Sequence, residues 1–166
     1  MEDKVILSFD QASQTCGWSL FKGKELQKYG HKTFRNGSFI ERLSEFADWS
    51  KEMIKYYKPD YVAFEEIQLQ NGAVTTYKIL AKIQGVLELI CFKHFLNSND
   101  YIIVSSNTWK SYLDIKKQGR AQEKKNAQEK VMKYYSIDAT EDEADAICIG
   151  KYMAEKHFKK EKMFGE

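Results

Sequence analysis

The sequence predicts a mixed α/β fold in which a short antiparallel meander leads into parallel crossover strands flanked by helices. Two observations carry this. Apolar stretches with the two-residue period of strands crowd the first 34 residues. Segments with helical spacing then alternate with brief apolar runs as far as residue 104, the pattern of strands joined by helical crossovers.

The elements follow in order. Val5, Leu7 and Phe9 alternate with Ile6 and Ser8, so a strand runs to Asp10. Gly17 to Phe21 reads as a second strand, and after Gly23 a third lies near Glu25 to Phe34. Connections this short imply antiparallel neighbours. Ser38 and Glu41 have the spacing of a capping box, and Phe39, Leu43, Phe46, Met53 and Tyr57 then recur at helical intervals. Pro59, the only proline, ends that helix. Tyr61 to Phe64 is a short buried strand that leads into Glu65. Ala73 to Phe95 is helical, with apolar residues on more than one face: Val74, Tyr77, Leu80, Leu87 and Cys91, but also Ile79, Ile83, Val86 and Ile90. Tyr101 to Val104 is a further strand, and Glu123 to Tyr135 a charged helix. Thr140 and Glu143 form a second capping box, which starts a last helix from about Glu141 to His157. The order β-β-β-α-β-α-β-α-α is expected to make a single domain over residues 1–166.

Composition excludes several classes. Hydrophobic residues are 43% and charged residues 30%, an ordinary folded balance rather than a disordered one. Asp10 breaks the first apolar stretch, so neither a signal peptide nor a membrane span is expected. Cys16, Cys91 and Cys148 contain no CxxC pair, which fits reduced thiols of a cytosolic protein better than disulfides or a zinc site. The net charge of +2 says little about partners, but its distribution says more. Lys110, Lys116, Lys117, Arg120, Lys124, Lys125, Lys130 and Lys133 face only Asp114, Glu123 and Glu129 in the same stretch. Residues 138 to 145 then carry five carboxylates and no base. A lysine run by itself is ordinarily a solvated helix face. One that abuts an acidic cluster suits a site holding phosphates beside bound cations.

The acids are the candidate chemistry. Asp10 and Glu65 each end an apolar strand, where a carboxylate is costly unless solvated, paired or bound to a metal. Singly, each is more simply a strand-end turn residue; as neighbouring strand tips they repel one another unless a cation lies between them. Asp142 and Asp145 lie three apart, on one face of the last helix, and that face continues as Ile149, Tyr152 and Met153. Acids suit a first helical turn in any case, which explains Asp142 but not Asp145 among Ala144, Ala146 and Ile147. Four such carboxylates suit hard cations such as magnesium or manganese, and two ions about 4 Å apart can hydrolyse a phosphodiester. His31, His94 and His157 are dispersed and lack metal-ligand spacing, and no glycine-rich phosphate loop is present.

These residues resemble those of the RuvC-type Holliday-junction resolvases, particularly the short phage-like versions. The resemblance rests on Ser8, Phe9 and Asp10 followed by Thr15, Cys16, Gly17 and Trp18; on Val62 through Glu66; and on Asp142 through Ala146. A middle match runs from Ala73 through Leu80 to Gly85 and Val86, similar to the family's dimerisation helix. It implies a ribonuclease-H-like fold with a mixed five-stranded sheet, the first three strands antiparallel and the last two parallel. It also implies a homodimer that cuts four-way and other branched DNA with magnesium, manganese substituting, two ions per site, in the cytoplasm of a phage-infected host. By resemblance Asp10, Glu65, Asp142 and Asp145 are the metal ligands. Lys110 is a phosphate contact and Lys124 the active-site lysine, with Lys125 a close contender for that place and otherwise a DNA contact. Lys116, Lys117 and Arg120 extend the DNA-binding surface.

Two departures bear on the reading. Gln11 and Ala12 stand where bacterial members often have Pro-Gly, so the first turn is expected to differ. Gln68 stands where some members carry a base-stacking aromatic, so little sequence preference is expected unless Tyr77 supplies the ring. The alternatives are a non-cleaving binder of branched DNA, a nuclease of this fold with another substrate, and a fragment of an actin-like ATPase or sugar kinase. The acids, the dimer-like helix and the short chain respectively argue against them.

Overall fold

The computed structural model describes residues 3–35, 37–69, 72–95 and 100–163, with side chains as far as Lys156. The strands are β1 (Val5–Asp10), β2 (Thr15–Lys22), β3 (Glu25–Thr33), β4 (Tyr61–Glu65) and β5 (Tyr101–Val104). The helices are α1 (Phe39–Tyr57), α2 (Val74–Phe95), α3 (Ser106–Tyr112), α4 (Arg120–Tyr135) and α5 (Glu141–Met163). The strands form one sheet in the order β3-β2-β1-β4-β5. β1 pairs antiparallel with β2 and β2 with β3, whereas β4 runs parallel to both β1 and β5. This is the mixed five-stranded arrangement of the ribonuclease-H-like fold.

The two-residue period of β1 divides the core. Leu7 and Phe9 turn to one face, where they join Phe46 and Ile54 of α1 and Ile83, Leu87 and Cys91 of α2. Ile6 turns to the other, where Trp109 of α3, Ala127 and Val131 of α4, and Ala144, Ile147 and Ile149 of α5 close the second layer. Cys16, Cys91 and Cys148 are buried free thiols. Among the described residues, no helix is long and apolar enough to cross a membrane.

Local signals set the helix ends. Ser38 Oγ accepts the Glu41 amide while the Glu41 carboxylate accepts the Ser38 amide, the reciprocal capping box expected there. α1 closes on Lys58, in the left-handed conformation at φ 46° and with its N–H on the Ile54 carbonyl, just before Pro59. Thr140 and Glu143 cap α5 in the same reciprocal way.

The structure corrects the expected boundaries at several points. β2 begins at Thr15 rather than Gly17, because Thr15 and Cys16 find partners in Thr33 and Lys32 of β3. α4 begins at Arg120 rather than Glu123, and α5 continues past His157 to Met163. α3 was not expected at all. It spans only seven residues, too few for a legible helical period, and is held by the Ser105 cap and by burial of Trp109.

Candidate active site

Asp10 and Glu65 leave neighbouring strand tips. Phe9 and Phe64 are parallel register partners, so the next residue on each strand emerges at one sheet edge, about 5 Å from its neighbour. Gln11 ties the tips together, its side-chain amide donating to the Glu65 backbone carbonyl at 2.6 Å. The residue standing in place of the family's proline is therefore a brace between the two strands. The oxygen of the same side-chain amide, Gln11 Oε1, is buried without a partner among the described residues.

α5 brings the other two acids, and close backbone approach sets its depth. Ser8 Oγ and Ser19 Oγ lie against each other and both within hydrogen-bond distance of the Ala146 carbonyl oxygen, at 2.9 and 2.8 Å, so their two protons are shared among these contacts. A Cβ on Gly150 would lie 2.6 Å from Ser19 Oγ and 2.7 Å from Ser8 Oγ, and one on Gly17 would overlap the Asp142 carbonyl. Gly17 is the register partner of Asp10. The first turn of α5 is thus seated beside Asp10, with Asp145 buried and Asp142 partly exposed. Ile149, Tyr152 and Met153 continue the buried side of the helix, as expected.

The electrostatics follow from that crowding. Asp10 keeps part of its surface open to solvent, yet protein packs closely enough round its carboxyl to matter. Desolvation pushes its pKa well above the ordinary 3.8, and Asp145, Glu65 and Asp142 push it further, against Lys124. Glu65 is raised chiefly by burial, opposed by a hydrogen bond of 2.8 Å from the Trp109 indole nitrogen. Asp145 is raised by burial, against an ion pair with Lys124. Burial would lower the Lys124 ammonium, but the attraction of Asp145, Asp10 and Asp142 outweighs it and holds the pKa up.

Lys124 Nζ lies 2.9 Å from Asp145 Oδ2, while Lys125, one step round the helix, is exposed. Lys110 donates to Glu123 at 2.9 Å and sits over the Trp109 ring. Lys116, Lys117 and Arg120 are exposed in and after the α3–α4 connection. Lys116 also lines a cavity of about 350 Å³ with Lys130 and Lys133. Gln68 and Tyr77 are both exposed, Gln68 on the segment after β4 and Tyr77 in the first turn of α2. The Gln84 side chain holds that segment to α2 through the Ile67 amide, at 3.0 Å.

The donor set is all oxygen, drawn from β1, β4 and α5, and its mutual repulsion calls for a cation. That fits a hard divalent metal. As they stand, no three His, Cys, Asp or Glu side chains among the described residues are closed on one ion position. Lys124 is the cation that one of them, Asp145, holds instead. No local pattern marks Trp109 or Ser19 in the sequence, and Gln11 and Ser8 stand out there only through the resemblance, not as braces of the site. His31 was set aside for want of metal-ligand spacing, and it bonds Glu143 at 2.8 Å, one residue from Asp142.

Comparison with known proteins shows the family and agrees with the fold. The family model described as crossover junction endodeoxyribonuclease RuvC matches residues 6–151. The RuvC crossover junction endodeoxyribonuclease of Brachyspira hyodysenteriae is 26% identical over 152 residues, covering 87% of this chain and 90% of that protein. Among solved structures, T. thermophilus RuvC in complex with a Holliday junction has the same fold, with a TM-score of 0.75 at 14% identity and coverage of 94% and 96%. The Fowlpox virus resolvase in complex with Holliday junction DNA is more distant, at 0.58 and 17% identity over 92% of this chain and 98% of that one. The family match runs from the first strand through both acids of the last helix, and the chain belongs to the RuvC family of crossover junction endodeoxyribonucleases.

Proposed function

We propose that this protein is a homodimeric, structure-selective endonuclease for four-way and related branched DNA, built as a single nuclease domain. Asp10, Glu65, Asp142 and Asp145 hold its metal ions. The observation that supports the site is that these four carboxylates, from three separate elements, lie close enough to raise Asp10 together and to hold up the half-buried Lys124 ammonium, which pairs with Asp145. Magnesium, or manganese in its place, would supply an activated water and stabilise the leaving oxygen. Lys124 is placed to exchange Asp145 for the scissile phosphate, where its charge counts most as negative charge develops. Lys110, Lys116, Lys117, Arg120 and Lys125 hold flanking phosphates, contacts that position the duplex without reading its bases. The direct test incubates the protein with a synthetic four-way junction and a linear duplex of the same sequence, with magnesium or with EDTA. Paired nicks in the junction alone, dependent on the metal, are expected; equal cutting of the linear duplex defeats the reading.

Lys124→Ala is expected to lower the cleavage rate constant at saturating protein by roughly 10²-fold or more, with junction affinity nearly unchanged. Lys116→Ala, Lys117→Ala and Arg120→Ala should instead weaken binding and flatten its salt dependence. Single-turnover kinetics beside binding titrations separate the two. Parallel loss of rate constant and affinity in all four would reduce Lys124 to one more phosphate contact.

The dimer is proposed on α2. Ile83, Leu87 and Cys91 face the core, while Val74, Tyr77, Leu89 and Phe92 stay exposed, the last two by 53% and 50%. Nothing in the protomer lies within 4 Å of a Cβ added at Gly85, on the same helix. A second copy of this helix would bury that face and carry two active sites to opposing strands of a junction. Light scattering is expected to report about twice 19.4 kDa, and Leu89→Lys combined with Phe92→Lys to return a monomer. A wild-type monomer at micromolar concentration would refute the dimer.

A further inference from the structure

We propose that Trp109 is a positioning residue for Glu65, its indole N–H fixing one carboxylate oxygen so that the other alone is offered to the metal. This rests on the reading of Glu65 as a metal ligand. The indole nitrogen donates to Glu65 Oε2 at 2.8 Å across 44 residues of chain. The ring that carries it has no freedom: Trp109 is fully buried, packed in the cluster that holds Ala127 and Val131 of α4 and Ala144 of α5. Its helix is anchored in turn, because Ser105 Oγ accepts the Thr108 amide and the Leu113 amide bonds the Trp109 carbonyl.

Three holds therefore converge on Glu65. β4 sets its Cα, Gln11 fixes its backbone carbonyl, and Trp109 fixes its carboxylate. A glutamate has three side-chain torsions to lose on gripping an ion, and a donor that fixes its head beforehand removes most of that cost. An indole suits the place because it donates without accepting, so it cannot be mistaken for a ligand itself. The Lys110 ammonium above the same ring, 5.3 Å from its centroid, is placed by the same side chain. Trp109 thus joins a carboxylate proposed for the metal to a lysine proposed for the phosphate.

The test compares manganese binding by calorimetry for the wild-type protein, Trp109→Phe, Val131→Ala and Glu65→Gln. Trp109→Phe keeps an aromatic but deletes the donor, and its dissociation constant for manganese is expected to rise about tenfold or more. Val131→Ala loosens the same cluster without touching Glu65 and should lower the melting temperature while leaving manganese binding unchanged. Equal binding by wild type and Trp109→Phe overturns the proposal, as does equal weakening by Val131→Ala. Unchanged binding by Glu65→Gln would instead defeat the reading of Glu65 as a ligand. Should Trp109→Phe fail to fold, the indole proton of Trp109 can be followed by NMR with the ring intact. It is expected to move upfield in Glu65→Gln, where a neutral amide replaces the charged acceptor, and a stationary resonance overturns the proposal.

Discussion

Asp10→Asn and Asp145→Asn are each expected to lower metal-dependent junction cleavage by orders of magnitude, while junction binding persists. The replacement removes a charge at nearly constant volume, so it withdraws a ligand without opening a cavity. The same substitution has a second consequence for the metal-free protein. Burial and the neighbouring Asp145, Glu65 and Asp142 carboxylates raise Asp10 well above 3.8, so folding favours its protonated form. A raised carboxylate contributes stability that is complete below its unfolded pKa and is lost as pH rises through the folded value. At neutral pH the metal-free wild type therefore carries a repulsion that Asp10→Asn relieves. Without metal, the variant should melt above wild type at pH 7 to 8, and the gap should narrow toward pH 4. Magnesium should raise the wild-type melting temperature more than that of the variant. Near wild-type cleavage by either variant, or a metal-free Asp10→Asn protein less stable than wild type at neutral pH, contradicts the assignment.

Gly17→Ala is expected to be the most damaging single change outside the acids. The added Cβ would overlap the Asp142 backbone carbonyl, and neither β2 nor the capped first turn of α5 can give way cheaply. Relief requires α5 to lift from the sheet. That breaks the seat made by Ser8, Ser19 and the Ala146 carbonyl, and draws Asp142 and Asp145 away from Asp10. The stability cost should be about 3 kcal/mol or more, at the upper end for overpacking. Cleavage should fall by orders of magnitude even at temperatures where the variant stays folded. Gly85→Ala is the control for protomer packing alone, since within the protomer the same atom meets nothing within 4 Å and alanine favours the helix by up to about 1 kcal/mol. Chemical denaturation and a cleavage assay on the two variants check both halves. A Gly17→Ala protein as stable as Gly85→Ala and as active as wild type would mean that α5 does not rest on β2.

The strands were legible because their signal is local. Alternation in β1, the capping boxes at Ser38 and Thr140, and the stop at Pro59 each act within a few residues, and each is found in place. The two strand-tip carboxylates and the Asp142–Asp145 pair were legible for the same reason, since a costly acid at the end of an apolar run is visible wherever the run folds. The lysine was less legible: the sequence put Lys124 only narrowly ahead of Lys125, and it is the roll of α4 against α5 that brings Lys124 to Asp145 and leaves Lys125 in solvent.

The sequence by itself thus determined the order of the strands and the longer helices, which acids to propose as metal ligands, and the apolar excess of α2. Tertiary structure alone decided which side of α2 stays open, that a seven-residue helix forms after β5, and how the acids are braced. Trp109 reaches Glu65 across 44 residues and Ser8 reaches Ala146 across 138. No periodicity or cap encodes such contacts, because they exist only once parallel pairing of β1 with β4 and the docking of α5 have brought distant backbone within hydrogen-bond range.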